Sequence, residues 1–308
     1  MSERKAGYLC WITYCEGFLF LVPVKLLPFM ALLGLGAIGA GGWYRFGNLK
    51  PRTLREYLEW QGLRLISDSE SNYWKAAIEE NKDLVNKLQL DDSKIDGVKG
   101  WCKSHLDSER YEDVKFSALL LCVDQPKTVK ARIIQLDGGL DRLLSGDDNK
   151  YKVAYIFRKH LEGFHALIGY SPEVGKDGKE NIDLENATKA FKGWCTSSLE
   201  KSIDETLVSN VRELCTPKSF SKVRDYLKGK TLLTESNQDA ELEKVYNKIK
   251  NFKSYTSDIS DISDSGKEGL KKWCEKSLDE EFSKELSVFE ETLPKVIARC
   301  VKGSESVA

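Results

Sequence analysis

One short pattern occurs three times without a gap: GVKGWCKSHLD from Gly97 to Asp107, AFKGWCTSSLE from Ala190 to Glu200, and GLKKWCEKSLD from Gly269 to Asp279. A repeat of this kind constrains the fold more than composition does, because each copy must be a supersecondary unit of the same type. A second shared piece precedes each pattern: PRTLREYL at Pro51, PKTVKARIIQL at Pro126 and PKSFSKVRDYL at Pro217. These lead into Leu65-Ile66-Ser67, Leu143-Leu144-Ser145 and Leu232-Leu233-Thr234. The order of pieces is preserved, and the unequal spacing between copies marks insertions, which should be loops. VGKDGKEN, from Val174 to Asn181, has the Gly and Asp composition of one. Tyr73-x-x-Ala76-x-Ile78 and Tyr151-x-x-Ala154-x-Ile156 are shared by the first two copies only.

The spacing within the pattern predicts helices. Phe191, Trp194, Cys195 and Leu199 stand at i, i+3, i+4 and i+8, as do Val98, Trp101, Cys102 and Leu106, so each set falls on one helical face. Trp273, Cys274 and Leu278 repeat the placement, and Trp101, Leu106, Trp194, Leu199, Trp273 and Leu278 are the expected core of the motif. The face is expected to continue through Ile203, Leu207, Val211 and Leu214 in the second copy and Phe282, Leu286 and Leu293 in the third. Pro51, Pro126 and Pro217 are expected to open helices, since proline suits the first helical turn. Each copy has room for three or four helices, and KVAYIFRK near Val153, which has strand character, is matched by the helix-like KAAIEENK. The expected fold class is all-α. An N-terminal extension (1–25) and a transmembrane helix (26–44) precede helical modules at 45–125, 126–216 and 217–302 and a tail at 303–308.

Cysteines repeat with the modules as Cys102 and Cys122, Cys195 and Cys215, and Cys274 and Cys300. Two readings stand: one disulfide per copy, or six buried thiols acting as small apolar core residues. The first requires a turn between the partners, because a continuous helix would hold residues 20 apart about 30 Å apart. That turn is expected near Glu112 or Glu205, where Ser202-x-x-Glu205 has the form of a capping box. Two cysteines per copy without accompanying histidine do not complete a zinc site.

From Gly17 to Tyr44 the only charged residue is Lys25, and Leu26 to Tyr44 is an uncharged run close to the ~20 residues that span a bilayer. Trp43 and Tyr44 stand where interfacial anchors belong, so the lipid bilayer is the partner expected for residues 26–44. A cleavable signal has the same character, with Ala37, Gly39 and Ala40 as small residues, and a buried core helix is a third reading. Gly36 with Ala40, or Ala37 with Gly41, has the small-residue spacing of close helix approach. Cys10 and Cys15 follow Leu9 and Tyr14, which do not make a lipid-attachment signal. Residues 24 onward read as a compact export signal, which suggests a true start at Val24. Arg4, Lys5 and Lys25 precede the span while Arg45, Lys50, Arg52 and Arg55 follow it, so flanking charge does not orient the full chain; with a start at Val24 it favours a cytoplasmic bulk.

Lys and Arg number 47 against 48 Asp and Glu, which leaves no basic field for nucleic acid. No phosphate-binding glycine loop, nucleophile elbow or metal-spaced His/Cys cluster occurs, so neither a catalytic residue nor a cofactor is expected. His160 and His165 are five apart and do not share a helical face; packing roles are expected for them. SDISDISDSGKEG, from Ser257 to Gly269, lacks the glycine and glutamate of a calcium loop and reads as a linker. Lys244 to Lys253 sets lysines against Tyr246, Ile249 and Phe252 at helical spacing, a solvated face over a core stripe.

The ordering of an anchor rich in small residues, LREYLEWQGLRLIS, the pair Tyr73-Trp74, the stretch from Val98 to Leu106, and CVDQPKTVKARI from Cys122 resembles the paralogous family of N-terminally anchored proteins of hemotropic mycoplasmas. The resemblance covers Leu26 to Arg132 and extends through the internal repeats. Two departures stand out: three copies instead of one, and a Trp before the first Cys of each pair instead of the second. The resemblance implies a membrane-associated, surface-exposed protein with a non-catalytic interaction or antigenic role and a host-surface protein as partner. A membrane-tethered helical scaffold facing the cytoplasm is the alternative.

Overall fold

The computed structural model describes residues 50–304 apart from 92, 93, 177 and 179. The expected extension and membrane segment, 1–44, and the last residues of the tail lie outside the described residues. Among the described residues, no helix is long and apolar enough to cross a membrane.

The chain from Thr53 onward is one compact unit, and it is all-α with a single two-stranded hairpin. In the first copy the helices are α1 (Leu54–Trp60), α2 (Ser71–Glu80), α3 (Lys82–Lys87), α4 (Ile95–Leu106) and α5 (Lys115–Leu121). The second has α6 (Val129–Asp137), α7 (Asp148–Ile156), α8 (Phe164–Ile168), α9 (Leu184–Leu199) and α10 (Glu205–Leu214). The third has α11 (Val223–Tyr226), α12 (Asp239–Ile249), α13 (Lys253–Asp258), α14 (Gly266–Leu278), a π-helical turn at Val288–Thr292 and α15 (Leu293–Cys300). Each copy thus exceeds the three or four helices expected, because short helices such as α3, α8 and α13 fill stretches that periodicity cannot distinguish from loop. KVAYIFRK falls in α7, a helix. The loop expected in the second copy is β1 (Glu173–Val174) against β2 (Glu180–Asn181), both exposed.

Helix starts correct the proline reading. Thr53 Oγ1 accepts from the Glu56 N–H at 3.2 Å and Thr128 Oγ1 from the Ala131 N–H at 3.2 Å, so threonine, two residues past the proline, is the cap. In the third copy α11 begins at Val223, six residues past Pro217, which aligns KVRDYL with TLREYL. Asp204, not Ser202, caps α10, its Oδ1 accepting from the Leu207 N–H at 2.7 Å. The apolar face expected to run on past the motif is broken after Leu199 and Leu278, where helices α9 and α14 end. Phe282, fully buried, lies beyond that break in the turn that follows the bridged Glu281, its N–H donating to the Ser221 carbonyl at 3.0 Å.

Two backbone hydrogen bonds close every copy in the same way. The first helical N–H, of Leu54, Val129 and Val223, donates to the carbonyl two residues beyond the motif leucine: Ser108 at 3.1 Å, Lys201 at 2.9 Å and Glu280 at 3.1 Å. The N–H of Ile66, Leu144 and Leu233 donates to the carbonyl of the second cysteine: Cys122 at 3.0 Å, Cys215 at 2.6 Å and Cys300 at 2.8 Å. That cysteine is bonded to the first, with Cα–Cα distances of 5.7, 5.8 and 5.8 Å for Cys102–Cys122, Cys195–Cys215 and Cys274–Cys300.

Each copy packs around its own apolar cluster, and two seams join them. At the first, α2 lies on α6 through Ala76, Ala131 and Ile134, small enough for close helix approach. The Glu80 carboxylate accepts from the Lys127 and Thr128 N–H groups and the Thr128 hydroxyl, at 2.7–3.1 Å. At the second, Phe157 meets Phe220, Tyr226, Phe282 and Phe289 with ring centroids at 4.8, 5.4, 5.0 and 4.7 Å. Phe220, Phe282 and Phe289 meet it edge-to-face, a geometry that adds to area burial, and Tyr226 is tilted.

Two stability predictions follow from this architecture. Phe157→Ala should cost about 3 kcal/mol in urea unfolding and loosen the second seam first; a loss below about 1 kcal/mol would show that the seam does not depend on this ring. Replacing Cys274 and Cys300 together by Ala should cost about 3 kcal/mol by freeing the unfolded chain, with no loss on adding reductant to the variant beyond that from the other two disulfides. An unchanged unfolding curve would count against this disulfide as a constraint.

Candidate functional site

The motif residues are spent on the three cores. The six module cysteines are at most 3% exposed and all are bonded in pairs. Trp194, Trp273, Leu106 and Leu278 are buried, Leu199 is half-buried, and Trp101 is half-buried with its ring 4.5 Å from that of His105. The structure keeps these positions in separate modules and does not assemble them into one site.

Histidines are likewise dispersed. His165 Nε2 is 2.9 Å from the Tyr155 hydroxyl, His160 stacks on Phe289 at 5.5 Å, and His105 Nδ1 is 2.8 Å from the Trp101 carbonyl. Among the described residues, no group of three or more His, Cys, Asp or Glu is placed to hold a metal.

What the fold does create is clefts, and their electrostatics differ. The cleft at the first seam, about 370 Å³, is neutralised from within: Glu79 pairs with Lys82 at 2.8 Å and with Lys130 at 2.6 Å, and the Lys75 ammonium donates to the Gly138 carbonyl. In a cleft of about 310 Å³ in the third module, Asp258 takes Lys295 at 2.9 Å and also pairs with Arg299 at 2.6 Å, while Asp261, Lys276, Lys284 and Glu291 line the cleft with no opposite charge within 4.0 Å among the described residues.

The second seam also forms a cleft. Its cleft, about 440 Å³, is within the size range of ligand sites. Val153 and Phe220 provide apolar surface, and Lys150, Lys218, Asp147, Asp225 and Glu281 line it. Among the described residues, none of these five charges comes within 4.0 Å of an opposite one. Asp147 caps α7 through the Asn149 N–H at 3.0 Å, and Asp225 accepts the Lys222 N–H at 3.3 Å, so both carboxylates are fixed. Glu281 is held by its backbone, bridged to Lys222.

Lys218 is positioned from beneath. Arg158, 5% exposed, donates through Nη2 to the Glu213 and Thr216 carbonyls at 3.1 and 2.9 Å and to the Thr216 hydroxyl at 3.1 Å, and through Nη1 to the Ala154 carbonyl at 3.0 Å. The guanidinium therefore pins the turn that leads from Cys215 into Lys218. Burial pushes the Lys218 ammonium below the ordinary lysine range, and the Arg158 charge adds to that push. Burial also lowers Arg158.

Sequence reasoning missed this cleft. Its walls come from residues 147–153, 218–225 and 281–283, in two copies, and no local pattern joins them. The one available signal was Arg158 itself, the first charged residue after the apolar run Val153 to Phe157. Comparison with protein-family models, with curated proteins and with solved structures finds no match.

The lowered Lys218 has a stability consequence with a definite sign. In the pH range where the unfolded chain holds the lysine proton more tightly than the folded chain, stability rises with pH, so below that range the charged amine is a penalty. Lys218→Met, which keeps the aliphatic stem, should therefore raise the urea midpoint at pH 7. A midpoint equal to or below that of the unsubstituted chain would show that the amine is neutralised in solution.

Proposed function

We propose that this chain is a membrane-anchored, surface-exposed interaction protein without catalytic activity, tethered by residues 26–44. The observation that carries the reading is one buried disulfide in every module. Disulfides form and persist outside the cell and are rare in a reducing cytoplasm, and a small helical module gains from such a staple where chaperoned refolding is absent. The resemblance to the anchored proteins of hemotropic mycoplasmas supports the same placement and suggests a host-surface protein as partner. A lack of any metal cluster or convergent nucleophile and base among the described residues is compatible with binding as the task.

A second reading, a membrane-tethered scaffold facing the cytoplasm, draws on Arg45, Lys50, Arg52 and Arg55 behind the apolar segment. Protease shaving of intact native cells under thiol-alkylating, non-reducing conditions separates the two. Release of peptides still linked as Cys102–Cys122 and Cys195–Cys215 is the expected result. Protected modules with every cysteine alkylated as a free thiol would reject the surface reading and favour the scaffold.

A further inference from the structure

Helix α1 carries an inference about what the first module rests on, and it depends on the membrane-anchored reading above. In the second module, α6 meets the preceding module through Ala131, Ile134 and Gln135, which are 0, 5 and 6% exposed. Counted from the shared threonine, the same positions in α1 are Glu56, Glu59 and Trp60, and all three are exposed. Residues 1–50 hold no further copy of the repeat, so the face that forms a seam in the second module stands open in the first. Trp60, 68% exposed, and Phe116, 67% exposed, are the two most exposed aromatic side chains among the described residues. They flank one contact. Trp60 lies a helical turn past Tyr57, and Phe116 directly follows Lys115, whose ammonium is 5.9 Å from the centre of the Tyr57 ring. Neither ring is repeated in the other copies, where Gln135 or Gly229 stands for Trp60 and Ser209 or Pro294 for Phe116.

The order of the chain says what adjoins this face. The apolar run 26–44 ends on Trp43 and Tyr44, and only nine residues, 45–53, separate it from Leu54. Of the three modules, the first is therefore the one that a tether at 26–44 brings to a bilayer. Exposed Trp and Phe rings partition into the interfacial zone of lipid, where the ring leaves water and the indole N–H keeps a polar partner. Glu56 and Glu59 beside Trp60 repel anionic headgroups, so the contact is aromatic and not a charge attraction. We propose that the α1 face of the first module rests on a zwitterionic bilayer surface, with Trp60 and Phe116 in its interfacial zone.

The test uses the oxidised full chain reconstituted into phosphatidylcholine vesicles, with and without bromine on the upper part of the acyl chains. Trp60 emission is the difference between the unsubstituted chain and Trp60→Phe. Phe116→Trp reports the second ring, and Phe252→Trp, an exposed ring position in the third module, is the control. Emission from positions 60 and 116 should be blue-shifted and quenched by bromine, emission from 252 should not be quenched, and added phosphatidylglycerol should not deepen the quenching. Water-like emission at 60 or 116 overturns the proposal. So does blue-shifted emission that bromine leaves unquenched, the result of cover by a second copy, or quenching at 252 equal to that at 60. Vesicle flotation keeps the two readings apart: a chain that does not float removes the anchor and this inference with it, whereas one that floats with Trp60 unquenched removes this inference alone.

Discussion

Everything in this fold hangs from a cystine whose second residue is also a backbone acceptor. In each module the disulfide joins the buried face of the motif helix to the end of the last helix, and the carbonyl of that second cysteine receives the N–H of Ile66, Leu144 or Leu233. One residue thus ties three segments: the helix with the Trp-Cys motif, the C-terminal helix and the extended strip after the first helix. A module of some 80 residues buries a modest core. Cross-linking lowers the entropy of its unfolded chain, and the paired amide and carbonyl avoid the cost of burying them alone. The second closure, from the first helical N–H to the carbonyl after the motif leucine, completes a ring that insertions elsewhere do not disturb.

The copies diverge where they meet each other. Arg55 pairs with Asp107 at 3.0 Å and Arg224 with Asp279 at 3.1 Å, which makes the same intramodular ion pair in the outer copies. In the middle copy Lys130 holds the corresponding position and reaches across the seam to Glu79. A position that closes the module at the two ends is thereby used in the centre to join neighbours. The second seam uses aromatic rings instead, with Phe157 inserted among four rings contributed by the third module. Two seams of different chemistry from one repeated fold give clefts of different charge, and the first pairs Glu79 with both Lys82 and Lys130.

The conserved pieces of the repeat are consumed by packing and closure, so any recognition surface has to arise from residues that vary between copies. Phe220 and Glu281 are such residues, and Arg158 holds the turn that precedes Lys218 through hydrogen bonds to the Glu213 and Thr216 oxygens, with no carboxylate involved. A guanidinium suits that task because its planar fork satisfies several carbonyls at once while remaining charged.

Helical periodicity and repetition in the sequence determined the all-α class, the placement of Trp-Cys on core-facing helices and the pairing of cysteines by copy, because these depend on contacts three, four and seven residues apart and on identity between copies. Caps were only partly legible: Thr53 and Thr128 stand in the shared segment, yet proline drew the helix starts, and Asp204 was passed over for Ser202 since either spacing could satisfy an amide. The approach of the paired cysteines to bonding distance, the register of the third copy and both seams were decided by tertiary structure alone. The cleft at the second seam was the least visible of all. Its charges come from segments more than fifty residues apart in the chain, and whether a lysine is paired or hydrated depends on distances that only folding sets.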